Sequence, residues 1–133
     1  MSQENVEIVR LAYERLNAAN LEGFLELCAP DLEFHDLAEL PGSGTYIGHA
    51  GFRTWWAQMV DAFEDLCFEP EEFIDAGGEL VVLVQRGAGR GRGSGAAVKL
   101  PFSTVTTVRD GKSVRHITYS DHADALAAAG LNE

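Results

Sequence analysis

Four consecutive stretches decide the fold: LCFEPEEFID (66–75), GELVVLVQRGA (78–88), AAVKLPFSTVTTVRD (96–110) and KSVRHITYSD (112–121). Each is rich in Val, Ile, Leu, Phe or Thr over a strand's length, the composition that suits a pleated, half-buried surface. Turn chemistry separates them. Asp75-Ala76-Gly77-Gly78 and Asp110-Gly111 supply residues that tolerate a positive φ, so the four stretches read as an antiparallel meander.

Upstream the period changes from two to 3.6. Val6, Val9, Tyr13 and Leu16 place one apolar face on a helix over 4–18, which Ser2 can cap. Asn20 can cap a second, short helix whose apolar face is Leu21, Phe24, Leu25 and Cys28, and Ala29-Pro30-Asp31 stops it. In LEFHD, Leu32, Phe34 and Asp36 share one strand face, with Glu33 and His35 on the other. After a loop with Pro41, Gly42 and Gly44 come a short strand at 45–47 and a third helix. That helix carries Phe52, Trp55, Trp56, Met59, Val60 and Phe63 on its apolar side. The tail DHADALAAAGL reads as a short helix ended by Gly130. Helices followed by an antiparallel meander give an α+β class, and the 133 residues suit one domain.

Composition narrows the function classes. The net charge is −11, with 17 acids and three Lys/Arg in residues 1–79 against four acids and seven Lys/Arg in 80–133. A net acidic chain lacks the cations that neutralise a phosphate backbone, so no nucleic-acid partner is expected. The tract GAGRGRGSG (87–95) resembles an RGG element, but flanked by two strand-like runs it reads as a long, mobile hairpin tip. No apolar run reaches the roughly 20 residues of a membrane helix. The polar start Met-Ser-Gln-Glu-Asn lacks a signal peptide's basic and apolar regions, so a cytoplasmic location is expected. Cys28 and Cys67 stand far apart in apolar settings and read as structural thiols. His35, His49 and His122 form no ligand spacing, so neither a metal nor a cofactor is expected.

The stretches LNAANLEGFLEL-CAPDLEFHD, LPGSGTYIGHAGFRTWW and VRDGKSVRHITYSDHADALAAAGL, in this order, resemble the nuclear transport factor 2-like superfamily, in particular its SnoaL-like branch. The resemblance covers essentially the whole chain. It implies a cone-shaped, cystatin-like fold in which a curved antiparallel sheet wraps around helices and encloses a pocket. It also implies a homodimer through the sheet's outer face, where Ile117 and Tyr119 lie. The superfamily includes ketosteroid isomerases, polyketide cyclases, limonene epoxide hydrolases and binding modules without catalysis, so the site must decide the function.

By that resemblance, Asp36 takes the position of the isomerase general base, on the apolar face of LEFHD. Desolvation there would make a carboxylate a better base near neutral pH. The isomerase tyrosine position falls on Ala12, with Tyr13 one residue along, a helical step of about 100°. The second isomerase acid aligns with Ser103. Arg86 matches an epoxide hydrolase residue, but Ala88 replaces the aspartate that should follow, and Thr118 stands where cyclases carry their base. Alternation puts Val114, His116, Thr118 and Ser120 on one face of the last strand, and His116 is the second titratable candidate, with an ordinary pKa near 6.5. Leu80, Val82, Val84 and Arg86 share a face by the same rule, where Arg86 can hold an anionic or carbonyl group or pair with Asp36. Trp56 can stack on a flat ligand. The expected sites are thus Asp36 and His116 for catalysis, and Tyr13, Trp56, Arg86, Ser103 and Thr118 for binding. The expected ligand is a small hydrophobic or polycyclic molecule. A non-catalytic binding or dimerisation module, and more weakly an epoxide hydrolase or cyclase, are the alternatives.

Overall fold

The structure, a computed structural model, describes residues 2–36 and 44–131. The loop containing Pro41 and Gly42, and the side chain of Ser2, lie outside the described residues. Three helices come early: α1 (Ser2–Asn17), α2 (Leu21–Glu26) and α3 (Gly48–Ala62). Strands β1 (Cys28–His35) and β2 (Thr45–Ile47) lie between α2 and α3. Strands β3 (Phe63–Asp75), β4 (Leu80–Gly91), β5 (Ala97–Arg109) and β6 (Lys112–Tyr119) follow, and α4 (His122–Ala128) ends the chain. Asn20 caps α2 by accepting from the Gly23 amide at 2.9 Å, and Asp121 caps α4 by accepting from Ala123. Asp110 and Gly111 both have positive φ, as a tight hairpin turn requires.

The six strands form one curved, unclosed sheet in the order β2-β1-β6-β5-β4-β3. The meander β3 to β6 is antiparallel throughout, but β1 lies parallel to β6. The sheet is therefore antiparallel except at this one pair. Pairing of the first strand with the last is a long-range contact that no local pattern encodes. Cys28 is also moved: α2 stops at Glu26, and Cys28 begins β1 instead of continuing the helix face. Its thiol still reaches back to the Phe24 carbonyl at 3.5 Å, and burial pushes it up to about 12.

The sheet's two faces are both occupied. Helices α1, α2 and α3 cover the inner face, where Leu32, Phe34, Phe68, Val81, Leu83 and Val108 join α1's Val9, Tyr13 and Leu16 in the main core. On the outer face α4 sets Ala125 and Ala129 against Val82 and Val105. Strand β4 is thus buried on both sides, which explains its run of five aliphatic residues. One edge of the sheet is β3, whose Pro70 and glutamates discourage further strand pairing. The glycine-arginine tract is mostly strand: β4 runs to Gly91 and pairs with β5 back to Ala97, so only residues 92–96 remain as the tip.

Candidate functional site

A cavity of about 80 Å³ lies between the inner face of the sheet and the helices. Its wall is built mainly of aromatic and aliphatic side chains, among them Phe24, Phe34, Phe52, Trp55, Phe68 and Phe102. The elements deliver them by simple periodicity. Phe34 comes from the inner face of β1, Phe52 and Trp55 sit one helical turn apart on α3, and Phe102 lies inward on β5. The rings interlock: Phe34 lies 4.7 Å from Trp55 edge-to-face and 5.1 Å from His116 nearly parallel.

Four polar side chains enter this apolar wall. Asp36, just past β1, lies in the cavity wall and accepts a 2.6 Å hydrogen bond from the Trp55 indole nitrogen. Its own amide donates to the Gly44 carbonyl, fixing the strand end. Farther along the wall, the Tyr13 hydroxyl and His116 Nε2 share a buried hydrogen bond of 2.8 Å. Thr118, one step along β6 on the same face, completes the set.

Burial controls the protonation of the deep pair. It pushes the Tyr13 hydroxyl up to about 12, with the nearby Gln85 and Thr104 side chains pulling it back and Cys28 adding to the rise. It pushes His116 down to about 4, opposed by its own backbone carbonyl and aided by the charge of His35. Both groups are therefore neutral at pH 7, and the pair acts through hydrogen bonds and not through charge.

Behind Tyr13 and His116 the inner face carries a band of buried polar side chains. Gln85, Thr104, Thr106 and His116 Nδ1 make no hydrogen bond of ordinary geometry within the described residues. The cross-strand register explains the grouping, since Thr106 stands opposite His116 and Thr104 opposite Thr118. A second space of about 10 Å³ lies there, bordered by Tyr13, Thr106, Ser113 and His116.

Several expected site residues lie elsewhere. Arg86 is on the outer face, half exposed and paired with Glu71 of β3, so it neither enters the cavity nor pairs with Asp36. The face it shares with Leu80, Val82 and Val84 is the outer one; Val81, Leu83 and Gln85 point inward. Ser103 also faces outward, and its hydroxyl meets His122 Nδ1 at 3.2 Å beneath α4. Trp56 borders a shallow outer groove with Leu21, Arg53 and Val60, while Trp55, about 100° around the helix, takes the cavity position. On β6 the register shifts opposite Thr107 and Val108, which turns Ser113 inward in place of Val114. Tyr13, not Ala12, carries the hydroxyl into the cavity.

Gly87 and Gly89, expected in a hairpin tip, belong to the cavity wall. Both line the cavity from the interior of β4, and neither has a positive φ, so the backbone does not require glycine there. A Cβ at Gly87 would come within 3.3 Å of the Phe102 ring. The available signal was a glycine inside a strand-like run, which marks close approach. Among the described residues no group of three His, Cys, Asp or Glu is disposed to hold a metal, and no helix is long and apolar enough to cross a membrane.

A mixed, curved sheet closed over a pocket by three helices can be compared with known proteins. The SnoaL-like domain pattern matches residues 9–116. The chain belongs to the SnoaL-like domain family. A nuclear transport factor 2-like protein from Burkholderia xenovorans LB400 is 29% identical, with a TM-score of 0.78 and 97% of each chain covered. TerC, crystallised with polyporic acid, is 25% identical with a TM-score of 0.79, covering 96% of this chain and 98% of its own. A nuclear transport factor 2-like protein of unknown function from Burkholderia pseudomallei K96243 is 24% identical with a TM-score of 0.81, covering 93% and 95%. These neighbours share the fold of this SnoaL-like chain. No curated protein matches the sequence significantly.

Proposed function

We propose that this SnoaL-like protein binds a small hydrophobic ligand in its inner cavity and, as the finer reading, transfers a proton next to a carbonyl with Asp36 as the base. The observation that carries the proposal is the pairing of an aromatic wall with one carboxylate, Asp36, held by Trp55. The co-crystallisation of TerC with polyporic acid supports a small organic ligand for this fold at comparable identity.

In that reaction the Asp36 carboxylate takes a proton from the carbon beside a carbonyl. The C–H electron pair moves into the carbonyl to give an enolate, and the proton returns to a second carbon. Tyr13 and His116, both neutral at pH 7, supply hydrogen bonds rather than charge to the ligand's oxygen. His116 is too weak a base, at about 4, to carry the proton itself at neutral pH.

A second reading, binding without catalysis, is favoured by one fact: Tyr13 and His116 already satisfy each other at 2.8 Å. Asp36→Asn separates the two. Against a panel of ketones and polyketide-like esters, turnover falls by about 10²–10⁴, the usual contribution of a general base, while ligand affinity stays within a few-fold. Unchanged turnover removes Asp36 from the mechanism. A homodimer through the outer face belongs to the same proposal, and sedimentation of the full chain across concentrations tests it.

A further inference from the structure

The enclosed space of about 10 Å³ behind the Tyr13–His116 pair has a divided border. Val9, Ala12, Leu32 and Phe52 make one part of it apolar, while Thr106, Ser113 and His116 come from the paired strands β5 and β6. The register gathers these three. Thr106 stands opposite His116, and the shift beyond Thr107 turns Ser113 to the same face. All are deeply buried, Thr106 at 1%, Ser113 at 5% and His116 at 8% exposure.

The two ring nitrogens of His116 have different surroundings. Nε2, at the tip of the ring, meets the Tyr13 hydroxyl at 2.8 Å. Nδ1 lies on the side nearer the strand, and neither it nor Thr106 Oγ1 makes a hydrogen bond of ordinary geometry to a protein group. Buried groups of this kind are nearly always paired, and an enclosed water serves where no protein group reaches. The volume suits about one water molecule, and an internal water needs about two to four polar partners. Nδ1 and the two hydroxyls supply that set. A wholly apolar space of this size would stay dry. All of these groups are uncharged at pH 7, so an ion would lose its hydration there without meeting a counter-charge. Gln85 and Thr104, also unpaired, stand near the Tyr13 hydroxyl and border neither this space nor the larger cavity. They are not part of the site.

We propose that this space is a binding site for one water molecule, held by His116 Nδ1, Thr106 Oγ1 and the Ser113 hydroxyl, and that Thr106 acts through it as a positioning residue for the His116 ring. Bridged at one nitrogen and bonded to Tyr13 at the other, the imidazole cannot turn without breaking both contacts. One enclosed water does not hydrate a charge as bulk water does, so the ring stays neutral. The site does not depend on whether the larger cavity takes a ligand.

A high-resolution crystal structure of the full chain tests the site. The expected result is a density peak at roughly 2.7–3.2 Å from both His116 Nδ1 and Thr106 Oγ1. Thr106→Val, which keeps the shape and removes the hydroxyl, loses the peak; Thr106→Ser keeps it. In solution, the nitrogen NMR signal of His116 Nδ1 shifts in Thr106→Val and returns toward the wild-type position in Thr106→Ser. A packing role alone would give the opposite order, because valine retains the methyl group that serine lacks. A space without a peak overturns the proposal, and so does a Thr106 hydroxyl bonded directly to Nδ1. A peak that survives Thr106→Val, or a signal that is the same in both variants, overturns the positioning role of Thr106. The wild-type map alone decides whether water is bound, so the test does not depend on a variant folding.

Discussion

On the inner face of the sheet, Phe34, Phe68, Leu83 and Phe102 meet the helices, and the polar side chains that intrude are neutral or hydrogen-bonded. On the outer face, Arg86 and Arg115 reach Glu71 and Glu33 on neighbouring strands, Lys99 of β5 reaches Glu69 of β3 across β4, and α4 covers only the patch around Val82 and Val105. The same strands thus present two chemistries, separated by their period of two. The difference also explains the lopsided charge of the sequence. Cations of residues 80–133 meet acids of residues 1–79 because β4, β5 and β6 pair beside β3 and β1; Arg92–Glu64 and Arg109–Glu79 extend the pattern. The charge gradient records contacts between strands, and the cavity lies on the inner face.

If the inner face carries the stability, truncating its central ring should be the most damaging change. Phe34 is 2% exposed and touches Tyr46, Phe52, Trp55 and His116. Phe34→Ala should cost about 3–5 kcal/mol in urea unfolding, through lost burial plus the cavity left behind. A loss below about 1 kcal/mol would mean that the rings are not packed as one cluster.

The next effect is set by pH. His116 is held neutral inside, with its pKa lowered from 6.5 to about 4. Below pH 6.5 the unfolded chain takes up a proton that the folded chain refuses until about pH 4, so protonation favours unfolding in that window. The stability this neutral group preserves is complete above pH 6.5 and falls as the pH drops, by about 3 kcal/mol in total by pH 4. Carboxylates contribute their own acid dependence, so the measurement is a difference. Wild type and His116→Gln are unfolded in denaturant at several pH values, and the wild-type curve should be steeper between pH 6.5 and 4. Parallel curves would mean that bulk water reaches the imidazole.

Much of this division was legible in the sequence, and the failures have a common cause. Alternation along LEFHD correctly separated Leu32 and Phe34 from Glu33 and His35, because only one side of that strand is apolar. In LVVLV both sides are apolar, so the pattern could not say which looks inward, and the helix α4 that buries the other side is distant in sequence. Arg86 and Ser103 inherited that ambiguity. Trp55 and Trp56 are adjacent aromatics near the border of one helical stripe, and only packing selects between them. The parallel β1–β6 pairing and the bulge that turns Ser113 inward are long-range facts of register. The Tyr13–His116 contact joins residues 103 apart, so no local window contains it.

The smallest effect belongs to the outer face, and it tests whether the contrast is real. Arg86 and Glu71 have side chains 46% and 44% exposed. Water screens their attraction, and holding two long side chains together costs entropy, so the pair should contribute no more than about 1 kcal/mol. A double-mutant cycle with Arg86→Ala and Glu71→Ala isolates that coupling from each residue's other effects. At about 1 M salt, where the screening length shrinks to roughly 3 Å, the coupling should approach zero. A coupling of about 2 kcal/mol that survives salt would require the pair to be shielded from water. Because the chain alone leaves both residues half exposed, the shielding would have to come from a partner on this face. The outer ion pairs would then belong to an interface, and their energetics would resemble those of the inner face.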